Sequence, residues 1–407
     1  MVPLPLTALF VDMDSYFASV EQHLRPELRG KAVGVAPVMA ESSCCIAASY
    51  EAKAFGVRTG TGISEARQLC KGIEIVEARP NLYVDYHHQI IDVVESCIHV
   101  DEVLSIDEMV CWLPLNWRER DFVEGIGQQI KHRLTETFSP WIRASVGAAP
   151  NGWLAKIASA QNKPNGLTIW EDEKDLPTAL FELSLTDLYG VGRNMEVRLH
   201  AHGIHSISQL YDLSESQLRR VWGNVEGGRL WHKLRGISIA SQENRKRTLG
   251  HSHVLSPELR PPEKAVTVLH KLVQKAAHRM RNQGLLTGRL SIHVRFINRT
   301  SWQNEVSFQE TSDSLFFAKI TSRLWQERPK SAPDILKLGI TFSKLAERGN
   351  YTPSLFQEYD PNNDRVSQVL DAVTAKHGKD ALYIATSHEA RQAAPTRIAF
   401  NHIPEVD

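Results

Sequence analysis

Apolar and polar positions in the N-terminal part of the chain form blocks whose period switches between two and about 3.6, the spacings of strand and helix. The run from Leu6 to Val11 is short and apolar and stops at Asp12, which predicts a strand delivering a carboxylate at its C-terminal end. Ser15 to Leu24 has helical spacing, and Lys31 to Val35 reads as another short strand. Ala47 to Phe55 and Ser64 to Leu69 predict helices, separated by the turn from Gly56 to Gly62. A long helix is expected from Asn81 to Cys97. The stretch VLSIDEMVCWLPL then reads as two strands around a central acidic pair, Asp107 and Glu108. A helix from Phe122 to Phe138, the strand IRASVGAA and a helix from Lys156 to Gln161 complete the block. That order of strands and helices is an α+β layered domain.

Between Leu183 and Gly236 the pattern changes to short helices separated by glycine turns. From Arg247 it reads strand, helix (Pro262 to Asn282), strands (Arg289 to Phe296 and Glu305 to Glu310), helix (Ser314 to Gln326) and strand (Ile335 to Phe342). This is a small β-α-β-β-α-β-like domain, joined to the preceding block by the polar segment Glu243 to Arg247. After Arg348 the chain is turn-rich, with one further helix expected from Val366 to His377. The whole is an α+β multidomain chain, and 407 residues accommodate two to four domains.

Composition narrows the function class only a little. No run approaches the roughly 20 apolar residues of a membrane span, and the N-terminus lacks the basic region of a signal peptide. The five cysteines show no CxxC spacing, so they read as free thiols in a reducing compartment, and a cytoplasmic location is expected. Net charge is zero, with 47 Lys plus Arg against 47 Asp plus Glu, but its distribution is uneven. From Arg245 to Arg348 there are 19 basic residues against 8 acidic ones, whereas Asp85 to Glu124 is rich in carboxylates. A basic arm and an acidic pocket in one chain suggest a polyanion held beside a cation site.

Phosphoryl transfer by two metals needs carboxylates that share two hard cations roughly 3.5–4 Å apart. Asp12 at a strand end, with Asp107 and Glu108 at a strand-turn-strand bend, meets that need. Adjacent strand residues face opposite sides, so Asp107 and Glu108 can serve one site only if the chain bends after Ile106. Taken alone, an Asp-Glu pair at a turn reads as solvated surface. Its neighbours in sequence change that reading.

The words FVDMDSYFASVEQ, SYEAKAFGV, LSIDEM and NKPNG follow one another between residues 10 and 166. With them the sequence resembles the Y-family DNA polymerases, the translesion enzymes, and within these the bacterial DNA polymerase IV and V groups. The resemblance implies a right hand. Its palm would comprise residues 1–22 and 80–171, and its small fingers 23–79. A helix-hairpin-helix thumb would occupy 172–238, a DNA-binding little finger 245–346, and a tail 347–407.

Residue by residue, Asp12, Asp107 and Glu108 match the family's metal-binding triad for two Mg²⁺ ions, and the carbonyl of Met13 matches a backbone metal ligand. Phe17 falls on the steric gate that excludes a 2′-OH; a core aromatic is the plain alternative at that position. Tyr50 and Lys53, three apart on one helix face, match contacts to the dNTP triphosphate, where many members carry Arg in place of Lys53. Lys keeps the charge and loses bidentate recognition. Lys163 of NKPNG matches the lysine that reaches the triphosphate from the palm.

LTDLYGVGRNMEVRLHAHGI, with Gly190 and Gly192, resembles the thumb's helix-hairpin-helix, whose glycine turn exposes backbone N–H groups to a DNA phosphate. WGNVEGGRLW, with Gly223, Gly227 and Gly228, resembles a second, more degenerate turn, for which an ordinary helical hairpin is the alternative. Arg245, Lys246, Arg247 and Arg295 are the candidate contacts of the little finger to primer-template DNA. Thr352, Pro353, Ser354, Leu355 and Phe356 resemble a sliding-clamp-binding peptide, with Thr352 and Pro353 departing from the family pattern; a plain loop is the alternative. The expected activity is that of a monomeric, low-fidelity, template-directed DNA polymerase without proofreading. Its rivals are a non-catalytic scaffold of a translesion complex and another palm-type phosphotransferase such as a nucleotide cyclase.

Overall fold

The apolar run that ends at Asp12 folds as the central strand of a sheet, and the rest of the N-terminal part is built on it. The computed structural model describes residues 5–239, 247–329, 331, 333–350, 361–378 and 381–391. The chain divides into two units that part at residues 241 and 242.

In the first unit β1 (Ala8–Met13) runs into α1 (Tyr16–Leu24). There follow β2 (Val33–Ala36), β3 (Ala47–Ala48), α2 (Tyr50–Lys53), α3 (Ile63–Leu69), β4 (Glu74–Glu77) and the long α4 (Pro80–Glu95). Next come β5 (Glu102–Ser105), β6 (Glu108–Trp112), α5 (Arg120–Thr137), β7 (Ala144–Ala149), α6 (Gly152–Ser159) and β8 (Leu167–Ile169). Five helices end the unit: α7 (Asp172–Phe181), α8 (Arg193–Ala201), α9 (Ile207–Tyr211), α10 (Glu215–Trp222) and α11 (Glu226–Leu234). The main sheet has the order β5-β6-β1-β7-β8, and β3-β2-β4 form a small sheet of their own.

Several expectations change here: the helix expected over Lys156 to Gln161 is α6 (Gly152–Ser159), and β8 and α7 were not foreseen. The predicted helix over Ala47 to Phe55 holds only from Tyr50 to Lys53, because Ala47 and Ala48 pair with Val35 and Gly34. Tertiary pairing overrides the local helical preference of alanine. Strand β4 was not foreseen; its four residues, Glu-Ile-Val-Glu, gain their conformation from parallel pairing with β2.

Alternation along β1 sorts the main sheet's two faces. Leu9, Val11 and Met13 belong to the core shared with α1, α4 and α5, whereas Ala8 and Phe10 belong to the one shared with α6 and the helices up to α11. Helix α6 crosses β7 at such close range that a Cβ on Gly147 would lie 2.1 Å from the carbonyl oxygen of Ala155. Only glycine fits there.

The second unit contains β9 (Thr248–Val254), α12 (Pro262–Asn282), β10 (Leu285–Phe296), β11 (Ser301–Thr311), α13 (Ser314–Gln326) and β12 (Ile335–Glu347). Its sheet order is β11-β10-β12-β9, all antiparallel. One face of the sheet packs under α12 and α13 through Leu290, Ile292, Val294, Leu338 and Ile340. The predicted β-α-β-β-α-β order is the observed one. The tail helix α14 (Pro361–His377) belongs to this unit too: Asp371 on α14 pairs with Arg281 and His278 on α12. Among the described residues no helix is long and apolar enough to cross a membrane.

Candidate active site

The same alternation that sorts the core places two of the three predicted carboxylates. Asp12 shares the face of Ala8 and Phe10 on β1, and Glu108 shares that of Val110 on β6. Antiparallel pairing sets Asp12 directly opposite Glu108 on one side and Ser145 of β7 on the other. Asp107 lies in the two-residue turn between β5 and β6, so the bend after Ile106 is present. Two hydrogen bonds hold it: Met13 N–H donates to the Asp107 carbonyl at 2.8 Å, and His87 Nδ1 on α4 meets the Ile106 carbonyl at 2.8 Å. Ser105 Oγ donates to the Asp107 carboxylate.

Two lysines face these acids. Lys163 Nζ lies 2.5 Å from Asp12 Oδ1. Lys156 Nζ, from the middle of α6, donates to both oxygens of Glu108 at 2.8 and 2.6 Å and lies 4.1 Å from the ring centre of Tyr189. Sequence reasoning missed Lys156, because one lysine in an apolar helix looks like surface and its partner Glu108 lies 48 positions away.

The cations do not offset the cost of burying the acids. Burial pushes Asp12 up to about 6, against the pull of Lys163 and with added repulsion from Glu108 and Asp107. Asp107 is also raised, again chiefly by burial, with Glu108 adding to it and Ser105 and Lys163 opposing. Among the described residues no three acidic, His or Cys side chains converge as a ready-made metal cage, since Asp12 and Glu108 each turn to a lysine.

On the side of α2, Tyr50 OH donates to Asp14 Oδ1 at 3.0 Å, and Lys53 Nζ lies 4.3 Å from the centre of the Tyr50 ring. Burial, and after it the charge of Lys163, push the Lys53 ammonium down. Phe17 is buried on α1 and stacks on Tyr83 of α4, ring centres 4.7 Å apart and 18° from parallel. Tyr83 is anchored in turn: its hydroxyl donates to the fully buried Glu21 at 2.7 Å, and Arg79 grips the same carboxylate with two bonds.

Gly190 and Gly192 lie in the turn before α8, Gly190 with φ +94°, a conformation that glycine adopts without strain. Together with Asp12, Glu108, Lys156 and Tyr189 they line an open cleft of about 540 Å³. The second glycine word behaves differently. Gly223 caps α10 with φ +75°, and a Cβ on Gly227 would lie 2.3 Å from the Leu218 carbonyl oxygen, so these glycines serve the contact of α10 with α11.

In the second unit Arg295 is exposed on β10 and Arg247 is exposed just before β9. Arg245, Lys246 and the segment Thr352 to Phe356 lie outside the described residues. The basic surplus of this segment is partly structural, since Arg281 is committed to Asp371 and Lys271 to the carbonyl of Arg391.

Comparison with known proteins places the fold in a family. Residues 11–160 match the impB/mucB/samB family and residues 246–355 its C-terminal domain. Residues 186–238 match the thumb domain of DNA polymerase iota. DNA polymerase IV of Moorella thermoacetica is 33% identical over 305 residues, covering 72% of this chain and 74% of that protein. DNA polymerase IV 1 of Bacillus subtilis is 26% identical over 413 residues, covering 96% and 95%. Among solved structures, a Y-family DNA polymerase chimera of Dbh and Dpo4 superposes with a TM-score of 0.70 at 23% identity, covering 84% of this chain and 99% of that one. DinB from Sulfolobus solfataricus gives a TM-score of 0.52 at 24% identity over 83% and 98%. The chain belongs to the impB/mucB/samB family of Y-family DNA polymerases.

Proposed function

We propose that this chain is a DNA-directed DNA polymerase that extends a primer 3′-OH with template-paired dNTPs, at low fidelity and past damaged bases. The observation that carries the reading is the cross-strand pairing of Asp12 with Glu108 beside the Asp107 turn, on a fold shared with Y-family polymerases. In the family's terms, β1 and the sheet around it would be the palm and the β3-β2-β4 segment the fingers. Helices α7 to α11 would be the thumb, and the part of the second unit from β9 to β12 the little finger.

Asp12, Asp107, Glu108 and the Met13 carbonyl offer oxygen ligands only, the donor set of a hard cation such as Mg²⁺. Burial is the main cause of the rise at Asp12 and Asp107, with the neighbouring acids adding to it, and acids set opposite one another across β1 and β6 fit a divalent ion. Two bound Mg²⁺ ions would supply the acidification of the primer hydroxyl and the charge that stabilises departing pyrophosphate. The chain's own residues do the rest. Lys163 and Lys53 supply countercharge for the triphosphate, with Tyr50 beside them. Phe17, backed by Tyr83, closes the space beside the sugar against a 2′-OH. The turn at Gly190 and Gly192 offers backbone N–H groups to the DNA backbone, and Arg295 and Arg247 extend that grip without reading sequence. Thr352 to Phe356 are the candidate contact to a sliding clamp.

Primer extension with Mg²⁺ tests the reading, with wild type compared to Asp107→Ala. A scaffold would extend with neither protein, and a cyclase would ignore the primer. Equal extension by both would refute the metal assignment.

A further inference from the structure

We infer that Asp14 is a positioning residue for nucleotide binding: its buried carboxylate ties the Lys163 loop and helix α2 to the sheet, and so sets where the two triphosphate-side lysines stand. The inference rests on the polymerase reading above and gives a role to a residue outside its metal and phosphate contacts.

Asp14 is 1% exposed, and three segments distant in sequence meet on it. Ser145 Oγ from β7 donates to both carboxylate oxygens at 2.9 and 3.0 Å. The backbone N–H of Asn165 donates to Oδ2 at 2.6 Å; this residue has φ 58° and stands two positions after Lys163. Tyr50 OH donates to Oδ1 at 3.0 Å, and Tyr50 carries Lys53 over its ring on the same turn of α2. Lys163 Nζ itself is 3.9 Å from Oδ1. One acid thus fixes the backbone under one lysine and the ring beneath the other.

A carboxylate needed only for folding would be satisfied by Ser145 and the Asn165 amide. The additional reach to Tyr50 connects the sheet to the separate β3-β2-β4 segment, which is where the second lysine resides. Asp14 is also a second acid near Lys163, behind Asp12, which the ammonium touches directly. A buried acid with ionic hydrogen bonds is costly to replace, because each partner is left without its acceptor.

The test is equilibrium binding of dNTP to enzyme on a primer-template ended with a dideoxynucleotide, alongside steady-state extension. Asp14→Asn is expected to weaken dNTP binding about ten-fold and to raise the inhibition constant for inorganic pyrophosphate in parallel. kcat should fall by less than about three-fold, and DNA affinity should stay the same. Ser145→Ala, which removes the donor that orients Asp14, should weaken dNTP binding about three-fold and add nothing to Asp14→Asn. If Asp14→Asn does not fold, the Ser145→Ala result decides. Unchanged dNTP binding in the folded variant, or equal weakening of DNA and dNTP, overturns the role of Asp14 while leaving an active wild type as a polymerase. A wild type that extends no primer overturns both.

Discussion

Two clusters of acid and base, one in each unit, are built from the same kinds of residue and are balanced in opposite ways. In the second unit Asp371 takes two bonds from Arg281, at 2.5 and 2.7 Å, and one contact of 2.6 Å from His278. Burial alone would raise this carboxyl, but Arg281 and His278 outweigh it and hold it down at about 2. In the first unit Asp12 has a lysine at 2.5 Å and is nonetheless pushed up to about 6. The difference lies first in burial, the largest influence on Asp12 and Asp107, which Lys163 does not outweigh. Neighbours add to it: Asp371 stands against two cations, whereas Asp12 and Asp107 each have other acids of the cluster beside them. A cluster that serves only to dock a helix can be satisfied completely. One that, on the proposed reading, accepts cations keeps its acids close together.

The sharpest way to break this comparison is to remove an acid from the first cluster. Asp107→Ala is expected to lower primer extension by about 10³-fold while leaving the metal-free protein as stable or more stable in thermal melts. A loss of folding stability to match the loss of extension would show that Asp107 is structural. The second cluster should respond the other way. Asp371→Ala leaves the guanidinium of Arg281, whose side chain is only 7% exposed, with Ser312 and Ser314 but without its counter-ion, and should cost the second unit about 3 kcal/mol in denaturant unfolding. Normal stability there would mean that α14 is held by other contacts.

A third measurement concerns the gate. Phe17→Ala should reduce discrimination against ribonucleotides by about 10²-fold, scored as the ratio of dNTP to rNTP incorporation. Unchanged discrimination would return Phe17 to the role of a core aromatic stacked on Tyr83.

The smallest effect is in pH. Asp371 is lower in the fold than in the open chain, so its stabilisation is complete above about pH 4 and is lost as pH falls toward 2. Allowing for solvent screening, that amounts to about 1–2 kcal/mol. Asp12 is higher in the fold, so stability from this group falls as pH rises from about 4 to 6, and the acid is ready for a cation only above that window. Melting of the metal-free protein, followed by Mn²⁺ affinity between pH 5 and 7, should show affinity rising with pH. A flat profile would contradict the placement of Asp12.

Much of this was legible from residue order. The two apolar runs around Asp107 and Glu108 predicted strands, and the opposite facing of adjacent strand residues required a bend after Ile106; the structure has its turn at Ile106 and Asp107, with Glu108 already the first residue of β6. Strong periodicity over Pro262 to Asn282 and Ser314 to Gln326 located α12 and α13 to the residue. What escaped detection depends on contacts distant in sequence. Ala47 and Ala48 are strand because Val35 and Gly34 pair with them. Lys156 meets Glu108 because α6 crosses β7, and Asp14 is a hub because residues 36, 131 and 151 positions away converge on it. The basic count from Arg245 to Arg348 overstated the surface available to DNA, since charge summed along a chain does not distinguish exposed arginines from those that dock the tail.

Gly147 has an implication for redesign. The missing side chain acts as a spacer of zero thickness, and the smallest possible insertion there, one methyl group, would force α6 off the sheet by roughly an ångström. Lys156 travels with that helix, away from Glu108, while every residue proposed for chemistry keeps its identity. A polymerase can therefore be detuned from a position that touches neither metal, nucleotide nor DNA.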